Sequence, residues 1–189
     1  MAATAKKAAP KKVSKKAAKK YVAFLRGVNV GGVNLKMAEV AKAFEAAGFT
    51  SVATVLASGN VLLESSDSVD SVRKTAETAL RDTFGYDAWV LAYDRNTVAN
   101  IVAEYPFERE VDGYQSYVTF VTDAEVLDEL CGLDKGADEK IERGVGVVYW
   151  QVPKGATLDS TIGTTMGKKR YKSSTTTRNL RTLDKVLSR

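Results

Sequence analysis

The sequence predicts an α+β protein of two packed ferredoxin-like (α-β plait) halves with antiparallel sheets, plus a disordered basic N-terminal arm. Between residues 21 and 94, strand-like and helix-like segments follow the order β-α-β-β-α-β, which is that of the ferredoxin-like fold. A related order follows in residues 95–189. The 189 residues, 44% of them apolar, are enough for one domain or two small halves with a core.

The arm, residues 1–20, contains eight lysines, seven alanines and no acidic residue. It has no apolar periodicity, so burial cannot offset the entropy of ordering the chain. Two interpretations stay open: weak, non-specific binding to nucleic-acid phosphates through the lysines, or a solubilising extension. The candidate nucleic-acid contacts are Lys6, Lys7, Lys11, Lys12, Lys15, Lys16, Lys19 and Lys20.

The first half, residues 21–94, begins with a short apolar run that ends at Arg26-Gly27, which is typical of a buried strand. Apolar residues at helical spacing before Gly48 predict an amphipathic helix. Two β-rich runs joined by a Gly-Asn turn predict a hairpin. The expected elements are strand 21–25, helix 36–47, strands 52–57 and 61–64, helix 67–84 and strand 89–93.

The second half, residues 95–189, is expected to repeat this pattern more loosely, although no sequence repeat is visible. Segments with helical or strand-like apolar spacing, separated by turn residues, follow one another in an order related to that of the first half. A polar loop is expected from residue 153 to 176. The expected elements are helix 96–103, strand 117–121, helix 124–131, a hairpin of 140–143 with 145–151, and a final helix 177–187.

Charge is distributed unevenly along the chain. The formal net charge is +5, but the middle of the chain, residues 21–166, carries a net charge of −10 between two basic ends. Basic residues at 167–189 outnumber the single acid, Asp184, by eight to one. The net charge therefore does not by itself indicate a nucleic-acid binder, because the position of the charges matters more than their sum.

Histidine is absent and Cys131 is the only cysteine. This composition excludes disulfides, Cys/His zinc sites, Ser-His-Asp and Cys-His catalysis. The acidic residues have no metal-binding spacing, and a solvated acidic face is the expected explanation for them. We therefore expect no metal and no cofactor. Cys131 lies on the apolar side of its helix and is expected to be a small core residue.

The loop from Arg26 to Asn34 leaves a buried strand and enters a helix. Its glycines, Gly31 and Gly32 among them, allow backbone N–H groups to approach a ligand, and Arg26 can bind a phosphate or carboxylate through two hydrogen bonds. The alternative is that the glycines and Asn29 simply form turns while Asn34 caps the helix.

A second candidate is the segment Thr177-Arg178-Asn179 with Lys185 in the following helix. Hydroxyl, guanidinium and amide groups at the start of a helix suit an oxyanion. The alternative is an N-cap, with Thr176 or Thr177 accepting hydrogen bonds from the first helical N–H groups.

Three motifs together give the chain a family resemblance. They are Arg-Gly-x-Asn-x-Gly-Gly-x-Asn at 26–34, Ser-Gly-Asn at 58–60 and Thr-Arg-Asn at 177–179. With them, residues 21–189 resemble the bacterial family called domain of unknown function 1697. The resemblance implies a compact cytoplasmic α+β protein of two plait-like subdomains and no established activity. The chain departs from the family pattern at Leu56-Ala57, where Tyr-Gln is frequent, and at Leu180, where Trp is common.

We expect the matched motifs to meet in one polar cleft, because the loop after a central strand can approach other loops at the same end of the sheet. The residues expected to converge are Arg26, Asn29, Asn34, Ser58, Asn60, Arg178 and Asn179. The full set of candidate ligand-binding residues is Arg26, Asn29, Gly31, Gly32, Asn34, Ser58, Gly59, Asn60, Thr177, Arg178, Asn179 and Lys185.

This residue set fits binding better than catalysis, because none of its groups titrates near neutral pH. The leading hypothesis is a binding module for a phosphate-bearing small molecule or a nucleic-acid end, with the arm adding polyanion affinity. One alternative is a small-molecule enzyme in which Arg178 or Lys185 stabilises developing charge. Another is a structural or dimerisation protein. No run of about 20 apolar residues is present, so we expect no membrane partner; the oligomeric state stays open.

Overall fold

The computed structural model describes residues 17–28, 35–85 and 87–189. In the first half, a four-stranded antiparallel sheet has the strand order β2-β3-β1-β4, and two helices connect its strands. The elements are β1 (Lys19–Arg26), α1 (Met37–Ala46), β2 (Thr50–Val55), β3 (Asn60–Ser65), α2 (Val69–Phe84) and β4 (Trp89–Asp94). The ferredoxin-like order expected for this half is confirmed.

The second half repeats the same topology, which confirms the predicted fold class. Its strands pair in the order β6-β7-β5-β8, equivalent to the order in the first half. One further helix follows the last strand of each half. The elements are α3 (Arg95–Ala103), β5 (Tyr114–Val121), α4 (Ala124–Cys131), β6 (Lys140–Gly144), β7 (Val147–Pro153), α5 (Thr161–Met166), β8 (Thr175–Asn179) and α6 (Leu180–Leu187).

The two sheets face each other, and each carries two helices on its outer face. Alternate residues of a strand point to opposite sides of a sheet. Ala23 and Leu25 of β1 accordingly pack with α1 and α2, whereas Phe24 packs between the sheets against Phe120, with ring centroids 4.7 Å apart. The central layer is completed by apolar residues of α3 and α6. On the far side, β7 packs against α4 and α5.

Several predicted boundaries differ from the structure by two or three residues, and two of the differences concern the arm and the candidate site. Order in the first strand begins at Lys19, whose Cα pairs with Ser65, so Lys19 and Lys20 belong to a strand and not to the arm. The segment predicted as the start of the final helix is instead strand β8, in which Thr177 pairs with Thr119. Its β-branched threonines favour a strand.

The helix cap predicted at Thr176 or Thr177 is also wrong. The N-cap of α6 is Asn179, whose Oδ1 accepts a hydrogen bond from the Arg181 backbone N–H over 3.0 Å. Thr176 is buried in β8 and Thr177 is half-buried there. The chain therefore changes from strand to helix three residues later than the sequence indicated.

The stretch predicted as a polar loop, residues 153–176, contains helix α5 and a 3-10 turn at Lys169–Tyr171. Ser160 caps α5 by accepting a hydrogen bond from Gly163 N–H over 3.0 Å. Position 163 requires glycine, because a Cβ there would lie 1.9 Å from the Thr157 carbonyl oxygen. Cys131 packs against the outer core of this half, as predicted. None of the described helices is long and apolar enough to cross a membrane.

Candidate functional site

Three segments that are distant in sequence meet at the end of β1. Because β1 runs antiparallel to both neighbours, Phe24 pairs with Asn60 at the start of β3, and Arg26 pairs with Trp89 at the start of β4. Strand β8 of the second half reaches the same place, where Arg178 Nε donates a hydrogen bond to Asn60 Oδ1 over 2.6 Å. This is the end of the sheet at which the sequence motifs were expected to converge.

Arg178 is a buried cation whose hydrogen bonds join the two halves. Its side chain is 8% exposed, and its guanidinium lies 5.1 Å from the centroid of the Phe24 ring. Every guanidinium nitrogen donates to the protein. The acceptors are Asn60 Oδ1, Thr176 Oγ1 at 2.9 Å, Thr177 O at 2.8 Å, Leu25 O at 2.9 Å and Gly59 O at 3.2 Å.

Those acceptors are all uncharged, so the positive charge of Arg178 is not neutralised locally. Burial, with a smaller contribution from the Arg26 guanidinium, lowers the pKa of Arg178 to about 10. The side chain thus keeps its charge at neutral pH. Since its donors are occupied, Arg178 can attract an anion electrostatically, but its main role is to fix β8 against β1 and β3.

Asn60 and Gly59 have structural roles in the turn between β2 and β3, and neither belongs to the described lining of the cleft. Asn60 is fully buried, and its Nδ2 donates to Val55 O at 2.8 Å and to Ser58 Oγ at 3.0 Å. Gly59 has a φ of 75°, and a Cβ at this position would lie 2.8 Å from Val28 Cγ2. Only glycine permits this close approach of the turn to the end of β1.

Arg26 is the half-buried arginine of the site. Its Nη1 donates to the carbonyl oxygen of Thr175 and, over 2.9 Å, to Thr175 Oγ1, and its Nη2 lies 3.5 Å from Met166 O. Burial lowers the pKa of Arg26. Its Nε donates to none of the described residues, so part of its hydrogen-bonding capacity is free for a ligand.

A cleft of about 900 Å³ opens beside these residues and extends from the end of the first sheet along β8 to α5. Four cations line it: Arg26, Arg178, Lys169 and Lys172. Asp87 adds a carboxylate to the lining, and the Oδ1 atom of Asp87 lies 3.8 Å from Nε of Arg81. Among the described residues, no carboxylate forms an ion pair with any of the four cations. The cleft therefore has an excess of positive charge although the middle of the chain is acidic.

The rest of the lining is largely apolar. It includes both tryptophans of the chain, Trp89 and Trp150, together with Leu25, Val28, Leu158 and Met166. Ser58, Thr157 and Thr177 add hydroxyl groups. A cleft of this composition can bind an anion at one end and an apolar or aromatic group beside it.

The cleft contains some of the predicted residues and leaves others outside. Arg26, Ser58, Thr177 and Arg178 line it. Asn179 caps α6 and Lys185 is exposed on that helix, and neither belongs to the described lining. Outside the described residues lie Asn29, Gly31, Gly32, Asn34, Lys6, Lys7, Lys11, Lys12, Lys15 and Lys16.

The sequence interpretation missed Lys169, Lys172 and Trp89. A signal existed for the lysines, because a basic cluster at 168–172 precedes the Thr-rich segment by two residues. Trp89 could have been found from the predicted topology, since the start of β4 must lie beside the end of β1. In the described part of the chain, no group of three or more Cys, Asp or Glu side chains is placed to hold a metal ion.

The fold resembles that of a solved bacterial protein. The conserved bacterial protein SP0830 from Streptococcus pneumoniae is 21% identical in sequence, with a TM-score of 0.75, and the match covers 91% of this chain and 98% of that chain. At this identity the likeness concerns the fold. None of the curated proteins matches the chain.

A family model described as "Protein of unknown function (DUF1697)" matches residues 18–149. The matched region includes the whole first half and the second half as far as β7. The matched region contains Arg26 and Ser58, which line the cleft. The chain belongs to the DUF1697 family, as the motifs in its sequence indicated.

Proposed function

We propose that the protein is a binding module for a phosphate-bearing ligand, which it holds in the cleft between its two halves. The observation that carries this proposal is the set of four cations, Arg26, Arg178, Lys169 and Lys172, around one cleft without ion pairs to described carboxylates. Charges left without a counter-charge favour an anionic ligand, and the attraction is strongest at the buried Arg178 and the half-buried Arg26, where the local dielectric is lower.

The four cations would serve different purposes. The Nε–H of Arg26 has no acceptor among the described residues, and Arg26 lines the cleft at the end of β1, so it is the expected direct contact to a phosphate oxygen. Lys169 and Lys172 are exposed and can move to meet the ligand, as lysines bind phosphate as flexible point charges. Arg178 is fixed by its own hydrogen bonds and contributes charge alone.

The size of the cleft supports a small ligand or the end of a larger one. About 900 Å³ falls within the roughly 300–1,000 Å³ of small-molecule sites. A phosphorylated metabolite or a terminal nucleotide of a nucleic acid would fill it. Binding is favoured over catalysis because the chain has no histidine, and the arginines and lysines of the lining are poor general bases at neutral pH.

A thermal-shift and calorimetric screen tests this proposal. Inorganic phosphate, pyrophosphate, sugar phosphates and nucleotides are added at low ionic strength to the wild type, to Arg26→Gln and to Arg189→Gln, a control at an exposed arginine at the C-terminus. A ligand at a hundred times its Kd should stabilise the wild type and the control by about 2.7 kcal/mol. Arg26→Gln should lose most of this stabilisation. Equal stabilisation of all three proteins, or of none, would contradict the proposal.

The proposal includes weak polyanion affinity in the arm. The six lysines of residues 1–16 carry six positive charges, and Lys19 and Lys20, exposed in β1, add two more next to the arm. Lysines that neutralise phosphates release counterions, so this binding should weaken steeply with salt. Removing residues 1–16 leaves β1 intact, and it should remove most of the salt-dependent binding to a long oligonucleotide while the cleft still binds small phosphates. If the protein without residues 1–16 binds the oligonucleotide as tightly as the full chain does, the arm does not bind nucleic acid and is interpreted as a solubilising extension.

A further inference from the structure

We infer that the phosphate-bearing ligand is a nucleoside 5′-monophosphate or a terminal nucleotide with the same chemistry, whose base stacks on Trp89 while its phosphate binds Arg26. This inference rests on the proposed function and names its ligand class. It depends on a structural relationship between two residues that the family motifs do not connect.

Trp89 and Arg26 are directly opposite each other in neighbouring antiparallel strands. Residues paired in this way project from the same face of the sheet, with Cβ atoms about 4.5–5.5 Å apart. An indole ring and a guanidinium therefore stand side by side on the cleft wall. A ligand that combines an anionic group with a flat ring close to it matches this pair.

The two tryptophans of the cleft differ in what they already contact. Trp150 is 1% exposed, stacks on Tyr117 with ring centroids 4.4 Å apart, and donates its indole N–H to Thr119 Oγ1 over 3.0 Å. Trp89 is half-buried, and its indole has neither a hydrogen bond nor a ring contact with the described residues. Trp150 is thus part of the core, whereas the ring of Trp89 is available to a ligand.

The remaining lining agrees with an aromatic ligand. Val28, Met166 and Leu158 line the cleft together with the charged groups, and Leu158 is 80% exposed. An exposed leucine beside such a wall gains by covering an apolar ring. Asp87, two residues before Trp89, is an acceptor in the lining and is suited to the hydroxyl groups of a sugar or an amino group of a base. A simple sugar phosphate would use the cations and leave this apolar wall exposed.

The test compares probes with and without a base. Fluorescence and calorimetric titrations at low ionic strength use the four nucleoside 5′-monophosphates, ribose 5-phosphate and inorganic phosphate on the full chain. Stacking on an aromatic side chain strengthens binding by roughly 5- to 150-fold. At least one nucleotide should therefore bind the wild type more tightly than ribose 5-phosphate by this factor, and it should quench the fluorescence of Trp89.

Substitutions at Trp89 test whether this residue causes the preference for nucleotides over ribose 5-phosphate. Trp89→Leu should reduce nucleotide affinity to that of ribose 5-phosphate, while the affinity for ribose 5-phosphate itself stays unchanged. Trp89→Phe keeps a ring and should retain most of the preference. If the Trp89→Leu variant fails to fold, the affinities of the wild type for nucleotides and for ribose 5-phosphate still show whether the base contributes to binding.

The outcomes separate this inference from the proposed function. Equal binding of nucleotides and ribose 5-phosphate by the wild type, or full nucleotide preference in Trp89→Leu, overturns the inference and leaves the phosphate site in place. Failure of every phosphate probe overturns both. A short 5′-phosphorylated oligonucleotide that binds more tightly than its terminal nucleotide identifies a nucleic-acid end as the source, whereas weaker binding identifies the free nucleotide.

Discussion

Arg178 Nε donates a hydrogen bond to Asn60 Oδ1 over 2.6 Å, and this contact joins the last strand of the second half to the hairpin of the first. The same guanidinium donates to the carbonyl oxygens of Leu25 and Gly59. Two motifs separated by more than a hundred residues are therefore parts of one hydrogen-bonded unit. The unit fixes the geometry of the cleft, and Arg26 lies at its open side.

Replacing Arg178 should destabilise the protein. In Arg178→Met the buried oxygens of Asn60, Leu25 and Thr177 lose their donor, which should cost roughly 2–4 kcal/mol of unfolding free energy. Urea unfolding of this variant, of Asn60→Ala and of the double variant measures the coupling between the two side chains. We expect a coupling free energy of about 1–2 kcal/mol.

The matched control is Arg181→Met, three residues away. Arg181 is exposed, and its Nε donates to Glu110 Oε1 over 3.0 Å. An exposed ion pair contributes at most about 1 kcal/mol, so this variant should unfold near the wild-type urea concentration. Additive effects of Arg178→Met and Asn60→Ala, or equal losses for Arg178→Met and Arg181→Met, would show that the contact is not a structural link.

Glycine at position 59 should be required for stability. Ala at this position would have an unfavourable φ of 75° and a Cβ 2.8 Å from Val28 Cγ2 and 3.0 Å from Leu25 Cβ. Gly85 provides the comparison, because it has a φ of 64° with no atom within 4 Å of the added Cβ. Gly85→Ala should cost about 1 kcal/mol, and Gly59→Ala at least about 2 kcal/mol. Thermal unfolding measures the loss of stability in both variants. Equal losses of unfolding free energy in Gly59→Ala and Gly85→Ala would refute the steric explanation.

The fold was predictable because its apolar periodicities are regular. Val40 and Phe44 recur at helical spacing in α1, and a run of apolar residues forms the central strand β1. Apolar spacing of this kind arises because a helix buries one face and a central strand buries both. The patterns therefore predict the order of helices and strands correctly. The strand β8 was missed because threonine is favoured both in strands and at helix N-caps. Only its pairing with β5 distinguishes the two.

The meeting place of the motifs was predictable, but the contacts that their residues make there were not. The antiparallel topology places the Ser58–Asn60 turn at the end of β1, so a meeting of these motifs follows from the predicted fold. The hydrogen bond that Arg178 donates to Asn60 does not follow from it, because the packing of two halves is a tertiary property. Trp89 has no motif around it, and its importance appears only through its register with Arg26.

Cys131 should react slowly in the folded protein. Burial raises the pKa of its thiol, so the reactive thiolate is scarcer in the folded state than in the unfolded state at the same pH. Alkylation with iodoacetamide at pH 8 should be slower than in urea, and stability should fall as pH rises through the unfolded pKa, about 8.5. Mass spectrometry of the time course measures this. Equal rates in native and unfolded protein would contradict burial of the thiol.

Phosphate binding should depend on pH through the ligand. The second pKa of a phosphate monoester is about 6, whereas Arg178, with its pKa of about 10, keeps its charge between pH 5 and 8. Affinity should therefore rise from pH 5 to pH 8 as the dianion forms. Calorimetry across this range checks the profile, and affinity that falls between pH 5 and pH 8 would contradict it.

Chemical-shift mapping by NMR tests most directly whether the cleft binds phosphate. Isotope-labelled protein is titrated with inorganic phosphate at constant ionic strength, with chloride as the control anion. The account predicts that the largest shifts occur at the amides of residues 25–28 and 166–178 and at the indole N–H of Trp89. Shifts confined to lysines outside the cleft, such as Lys74 on α2, or identical shifts with chloride, would contradict a phosphate site between the two halves.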